Sequence, residues 1–565
     1  MTKARDRLRL RHRFALCAGA AAGGLMVVRL FVPSPVGMAD NGDGFRRMCS
    51  LDVVTLVPPG VEQWLKFAHF TYTRAPQDGC DPAQVYPSSG NWLLRAAEVL
   101  SNLLGFPGVL DLRALAVLFC VLIAGAFTLF AAALRGSVLR RAVVCALLFL
   151  VVADSTFAGY AASPYGELAG LTGMVWALAG AVHLGGKPAA RLLGLLACTA
   201  GAVVAVASKT QSATMAVPFV ILLALARVPL GRWQAGWRNR IAPALAALVI
   251  IGAAVGEIAA QPGQFRRINP TEMVFVGLLP RSHDPREAAV DLGLPADFAR
   301  YEGRSWWVEE PPQSDPRWAA YEDRMTYGTI ASFLVTHPAV TARVAYDALD
   351  DFGAARPDYL GSYPPEAGLR PGAQESRLAL FSALVRDVGG GLMLALVTVL
   401  GAVAVPWWRR TPDPRRRAFV ATVLCAATLT WVQFLTAVYG EAIENTKHLV
   451  FAVLSSGLTV VMAVAVSAAG AGSRAGTETA RREGDAGLDP ESVGGAPVAD
   501  AVRSAGTASA GAARPVGASG APGPTGFRSG RSQRACTGSG DAWWLRGGAI
   551  SALRRVLDHA SCPRT

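Results

Sequence analysis

Charge is what this chain has least of. Only 17% of its 565 residues are Asp, Glu, Lys or Arg, against 52% hydrophobic, and the mean hydropathy is +0.33. Soluble domains carry about 25% charged residues, so an ordinary soluble enzyme is excluded. The sequence has no CxxC pair and no metal-type His/Cys spacing, which excludes a zinc-ribbon or zinc-finger module. Its apolar runs are continuous and do not alternate, which argues against a membrane β-barrel. It has no internal repeat and no matched Gly/Pro-broken spans, features a secondary transporter would carry. It also has no aromatic–basic module, so the net charge of +13 does not point to nucleic acid.

Long apolar runs are what it does have. Ten lie near 14–33, 113–134, 141–154, 167–184, 192–208, 213–228, 241–259, 386–406, 418–438 and 449–469. A helix needs about 20 apolar residues to cross a bilayer, and each span must satisfy its own backbone hydrogen bonds. The expected fold is an all-α polytopic membrane protein with about ten transmembrane helices. The third run is short and either tilts or continues into the loop after it. Only "SKTQS" separates the fifth from the sixth. The basic N-terminus and the run after it look like a signal peptide. No small-residue cleavage site precedes Pro33, however, and more spans follow, so the run reads as an uncleaved first span.

Basic residues set the orientation. "MTKARDRLRLRHR" holds six Lys and Arg, and "RGSVLRR" (135–141), "GKPAAR" (186–191), "RVPLGRWQAGWRNR" (227–240) and "WWRRTPDPRRR" (407–417) are basic too. With ten spans all of these, and both termini, fall on one side. The positive-inside rule makes that side cytoplasmic, so the protein is expected in the cytoplasmic membrane. The domain plan is a basic N-terminus (1–13), a multi-span region (14–469) and a tail (470–565). The tail is rich in Gly, Ala, Ser, Pro and Arg, and cannot bury a core. Residues 542–558 within it are suited to a basic amphipathic helix on the membrane surface. The opposite side receives large loops at about 34–112 and 260–385, the second long enough to fold against the membrane. Of nine cysteines, Cys17, Cys120, Cys145, Cys198 and Cys425 lie in apolar runs and Cys536 and Cys562 in the tail. Cys49 and Cys80 share the first loop, and a disulfide is expected between them if that loop is extracytoplasmic.

The same side collects the polar residues that could do chemistry. "GMADNGDGFR" (37–46) places Asp40 and Asp43 just past the first span. Charges there need water or a partner, and Gly42 and Gly44 permit a turn that aims both carboxylates into one cavity. The plain alternative is a solvated turn, which Asp and Asn favour for local hydrogen-bonding reasons. Glu167 opens a span, where it would also complement the helix dipole. Lys209 and Gln211 interrupt an apolar stretch, and Lys209 could simply snorkel. Glu441, Glu444, Lys447 and His448 precede the last span and could be interfacial anchors. Arg29 lies inside the first span and either snorkels outward or pairs with one of these acids. In the large loop His283 and Asp284 form a His–Asp pair, suited to acid–base work or to a turn. Tyr359, Trp306 and Trp307 suit sugar stacking or lipid headgroups. Taken together these residues describe an outer cavity with cations for a phosphate and a carboxylate for a hydroxyl proton.

Several stretches, "GMADNGDGFR", "SPYGE" (163–167), "SKTQS" (208–212), "VGLLPRSHDPREAAVDLGLP" (276–295), "RPDYLGSY" (356–363) and "ENTKHL" (444–449), carry a resemblance over residues 10–470. The chain resembles the C-type glycosyltransferase superfamily, and more narrowly the bacterial WsfD-type hexose transferases of glycan biosynthesis. The resemblance implies transfer of a hexose from a polyprenyl-phosphate donor to a cell-surface glycan or glycolipid. It also implies a first-loop acid as base, either Asp40 or Asp43, with Asp40 slightly favoured for its closeness to the span. Glu167, Lys209, Gln211, Glu444, Lys447, His448 and His283 would then bind substrate. Some members use a divalent metal and some do not, and no ligand set here decides. Two other functions fit the same residues: a transporter or flippase for a lipid-linked or anionic substrate, and a glycan polymerase or ligase.

Overall fold

The computed structural model describes residues 2–55, 61–75, 80, 85, 87–229 and 236–469. The tail, with the expected surface helix at 542–558, lies outside the described residues.

The chain begins with α1 (Thr2–Phe31), α2 (Asp43–Cys49), β1 (Val53–Thr55), α3 (Val61–Lys66), β2 (Thr71–Arg74), α4 (Ser89–Leu104) and β3 (Leu110–Asp111). The helices α5 (Leu112–Ala133), α6 (Val138–Val152), α7 (Ser155–Ala158), α8 (Glu167–Ala181), α9 (Pro188–Val206), α10 (Ala216–Leu225) and α11 (Ile241–Ala259) follow. The second loop region carries α12 (Phe265–Glu272), α13 (Pro285–Asp291), α14 (Tyr327–Thr336), α15 (Pro338–Ala354) and α16 (Leu380–Val388). The described chain ends with α17 (Gly390–Arg410), α18 (Pro414–Gly440), α19 (Asn445–His448) and α20 (Val450–Ala469). The architecture is all-α apart from one small antiparallel sheet, ordered β1-β2-β3, with Val53 opposite Arg74 and Thr71 opposite Asp111.

Each of the ten apolar runs forms a helix, but they differ in length. Among the described residues seven helices are long and apolar enough to cross a membrane, and a bent pair, Val138–Val152 with Ser155–Ala162, makes an eighth. Glu167–Ala181 and Thr210–Leu225 are apolar but shorter. The third run therefore does continue into its loop, through a 53° bend. Asp154 fixes that bend. One carboxylate oxygen accepts the Thr156 N–H at 3.0 Å and the other accepts those of Phe381 and Ser382, both at 3.0 Å. The carboxylate thus caps α7 and ties it to the start of α16. "SKTQS" is a true break, because a 3₁₀ turn over Thr210–Met215 separates α9 from α10.

Small residues let the helices approach closely. A Cβ on Gly19 or Gly23 of α1 would strike Thr128 or Ala124 of α5. Gly173 and Gly180 of α8 similarly face Gly201, Gly194 and Cys198 of α9 at backbone distance. In a bilayer, where lipid is as apolar as leucine, such packing is what holds helices together.

The two loop regions meet at one end of the bundle. Gly37 donates to the Ser362 carbonyl at 2.9 Å, Ala39 to Gly361 at 2.8 Å and Ala68 to Tyr363 at 3.0 Å. Cys49 and Cys80 form a disulfide within the first loop region. Arg29 is held by Glu375 at 3.1 Å and Ser155 at 2.9 Å. It therefore pairs with an acid of the second loop region, and neither snorkels nor meets Asp40 or Asp43.

Candidate functional site

The site grows from the turn after α1. Gly42 sits at φ 105°, a backbone state that side chains resist. The turn it permits brings Asp40 Oδ1 to the N–H groups of Gly42 and Gly44, at 3.0 and 2.8 Å. Asp40 is only 5% exposed, and burial pushes its carboxyl up to about 6. The turn does not aim both carboxylates into one cavity. Asp40 builds the turn, and Asp43, at the start of α2, projects from it.

Asp43 meets Lys447 and Arg46 in ion pairs, the latter at 3.1 Å, and its side chain stays 36% exposed. Lys447 has no exposed side-chain surface. It donates to Asn41 Oδ1 at 3.0 Å, lies 3.5 Å from Glu444 and sits over the Tyr165 ring at 4.7 Å. Burial works against both charges, but each stabilises the other. Lys447, Lys209 and Arg46 hold Asp43 well below the usual carboxylate range, and Asp43 and Glu444 hold Lys447 above the usual ammonium range. Glu444 also accepts from Asn41 Nδ2 at 2.7 Å and from the Tyr359 hydroxyl at 2.8 Å. The Tyr165 hydroxyl binds the Ala39 carbonyl at 2.8 Å and Asn41 Oδ1 at 3.1 Å.

A second chain of contacts runs deeper. Glu167 pairs with Lys209 at 3.2 Å, Lys209 Nζ lies 2.9 Å from His448 Nδ1, and His448 Nε2 lies 3.2 Å from Glu441. Burial and two neighbouring lysines hold His448 below the usual imidazole range, so the ring is neutral. A neutral ring beside an ammonium accepts at Nδ1, which leaves Nε2–H to donate to Glu441. Burial pushes Glu441 up to about 7. Gln211 Nε2 donates to the His448 carbonyl at 2.8 Å and locks the 3₁₀ turn to α19. Lys209 is paired and does not snorkel. Glu167 is both the first residue of α8 and an ion-pair partner.

The structure therefore brings Asp43, Glu167, Lys209, Gln211, Glu441, Glu444, Lys447 and His448 together, with Asp40 beneath them. It does not bring His283, which is exposed and touches none of them. Asp284 beside it accepts the N–H groups of Arg286 and Glu287 at 2.8 and 3.3 Å and caps α13. The pair forms the turn that opens α13.

Sequence reasoning missed Asn41, Arg46, Tyr165 and Glu272. Asn41 and Arg46 stand inside the quoted first-loop stretch, where the aspartates drew the attention. Arg46 lies 4.6 Å from the centre of the Phe265 ring and 5.9 Å from that of Trp307. Glu272, at the end of α12, is fully buried. Its Oε1 accepts the Trp306 N–H at 2.8 Å, and its Oε2 has no hydrogen-bond partner among the described residues. Burial pushes it up to about 8. A π-helical turn, Met273–Leu278, follows directly.

One known family matches, over residues 8–482, and it is described as the YfdI N-terminal transmembrane domain. The chain belongs to this family. No curated protein and no solved structure matches the chain. The YfdI match spans every segment of the charged network, from Asp40 to His448. Within this YfdI-type domain Asp43, Glu167 and Glu444 each face a lysine or arginine. Among the described residues no three His, Cys, Asp or Glu side chains gather as ligands for a metal ion. The residues present do not fit a resident divalent ion. Lys447, Lys209 and Arg46 all act on Asp43, whose carboxylate is partly open.

Proposed function

We propose that the chain is a membrane glycosyltransferase. It moves a hexose from a polyprenyl-phosphate donor to a surface glycan or glycolipid on the outer face of the cytoplasmic membrane. The observation that carries this reading is the pairing of the buried Lys447 with the partly open Asp43, with Arg46 and Lys209 beside it. Without substrate, Asp43 neutralises cations that a phosphate would otherwise take. When the donor phosphate arrives it competes for Lys447 and Arg46, and Asp43 loses the charges that make it a weak base. Its proton affinity then rises as the acceptor hydroxyl approaches. The acceptor oxygen attacks the anomeric carbon, the bond from that carbon to the phosphate oxygen breaks, and the hydroxyl proton passes to Asp43. Polyprenyl phosphate leaves with the electron pair of the broken bond, and Lys447 and Arg46 take up its charge. Asp43 fits the base role better than Asp40, whose carboxylate is already bound to its own turn.

Ten membrane crossings, a C-type architecture and cytoplasmic termini belong to the same reading. Two shorter helices support the count. Glu167 begins α8, Lys209 follows α9, and the two touch at 3.2 Å, so α8 and α9 run away from the site and back. The Thr210–Leu225 segment and α11 make the next such pair, since Gln211 touches His448 and α11 leads into α12.

A proton-coupled transporter or flippase is the second reading. The Glu441–His448–Lys209–Glu167 chain favours it, because linked titratable groups within a membrane protein can carry protons. The discriminating experiment supplies purified protein in vesicles with a polyprenyl-phosphate hexose. Acceptor-dependent release of polyprenyl phosphate supports the transferase. Substrate flux in vesicles lacking any acceptor glycan, with no such release, supports the transporter.

A further inference from the structure

An open cleft of about 500 Å³ lies in the second loop region, lined by Gly263, Gln264, Arg267, Trp306, Gln313, Trp318 and Glu322. Ligand sites typically measure about 300–1,000 Å³. Its walls are built, not incidental. Trp318 is nearly buried and packs against Phe275 and Trp306, with ring centres 6.3 Å apart in both cases. The buried Glu272 carboxyl fixes the Trp306 backbone. Gln313 donates to the Trp306 carbonyl at 2.8 Å, while its amide oxygen is buried with no partner among the described residues. At the rim Arg267 and Glu322 form an ion pair at 2.6 Å.

These groups suit one ligand chemistry. Aromatic rings pack against the C–H faces of a sugar, and planar amide, guanidinium and carboxylate groups bind neighbouring hydroxyls in pairs. A phosphate would meet Glu322 as well as Arg267, and a lipid chain would leave the amides unpaired. The cleft also adjoins the charged network. Its lining residues Gln264 and Trp306 are followed directly by Phe265 and Trp307, the two rings beside Arg46, and Arg46 is bonded to Asp43.

We propose that this Trp306–Trp318 cleft binds the sugar residues of a neutral glycan chain and holds the acceptor whose end reaches Asp43. The acceptor role rests on the transferase reading; sugar binding at the cleft does not. The test uses the full-length protein in nanodiscs, without donor. Saturation-transfer NMR is recorded with trisaccharides of glucose, galactose and mannose configuration. Binding of at least one is expected. It should weaken about five-fold or more in Gln313→Ala and in Arg267→Ala, roughly one hydrogen bond each. Arg267 is largely exposed, so its variant probes the cleft without disturbing the core. No binding by any of the three overturns the proposal, as does binding that both variants leave unchanged. Polyprenyl-phosphate release, measured separately, tells the two readings apart. Release without trisaccharide binding removes the cleft and keeps the transferase. Binding without release from any donor keeps the cleft as a sugar site and removes the transferase.

Discussion

At Lys447 a single ammonium neutralises charge contributed by two distant segments. Removing Lys447 strands the Asp43 carboxylate, which water still reaches, so the cost falls below the ~3–5 kcal/mol of a fully buried pair. Lys447→Met should therefore lower the thermal midpoint. Adding Asp43→Asn should recover much of the loss, because the stranded carboxylate goes with it; a double variant no more stable than Lys447→Met contradicts the pairing. Glu272 makes a pH-dependent prediction. Its carboxyl is raised from 4.5 to about 8, so while it stays protonated at low pH no charge is buried. The associated stability is lost as pH rises through about 8. Asp40 and Glu441, raised to about 6 and about 7, add to the same fall at lower pH. Glu272→Gln should flatten the upper part of the stability–pH curve, by roughly 2–4 kcal/mol at most near pH 9. If wild type and variant lose stability in parallel from pH 6 to pH 9, Glu272 is not the buried acid described. Asp43, Lys209, Lys447 and His448 were legible as polar residues stranded at span ends. Their pairing was not, because hydropathy does not say which stranded charges face each other. Glu272 was invisible because "INPTEMVF" offers no cue that its glutamate is buried.

Among the elements, the spans were the legible part, since continuous apolar runs dictate helices in a bilayer. The bend between α6 and α7 and the small sheet were less so. Strands of two to four residues carry no usable periodicity, and the bend depends on Asp154 reaching residues 381 and 382, far away in sequence. In the second loop region α14 and α15 are separate helices, because Pro338 begins a new one. Gly166 precedes α8 where a Cβ would collide with the Arg47 guanidinium and approach the Ser208 carbonyl to 2.6 Å. Arg47 itself donates to that carbonyl at 3.1 Å and to Asn91 at 3.3 Å. Gly166→Ala should thus displace Arg47, shift Lys209 off Glu167 and reduce transfer at least tenfold, with a smaller effect on folding. Full transfer by a well-folded Gly166→Ala protein would show that this junction does not position the site.

For the molecule as a whole, the proposed ten-crossing topology would put residues 135–141 and 407–417 on one side of the membrane and the charged network on the other. Single cysteines at exposed Ser137 and at exposed His283 should react with a membrane-impermeant maleimide from opposite faces, read in intact cells and in inverted vesicles. Labelling of both from the same face would break the topology and the outer-face assignment with it. The loop regions and bundle matter together because the site belongs to neither alone: Asp43 comes from the first loop region, Tyr359 from the second, and Lys447 from the link into α20. The most direct test of the central claim is single-turnover release of polyprenyl phosphate by wild type and Asp43→Asn, at equal donor occupancy and saturating acceptor. A drop of about 10²–10⁴ in rate with donor binding retained is the predicted result. Undiminished release by Asp43→Asn would contradict it.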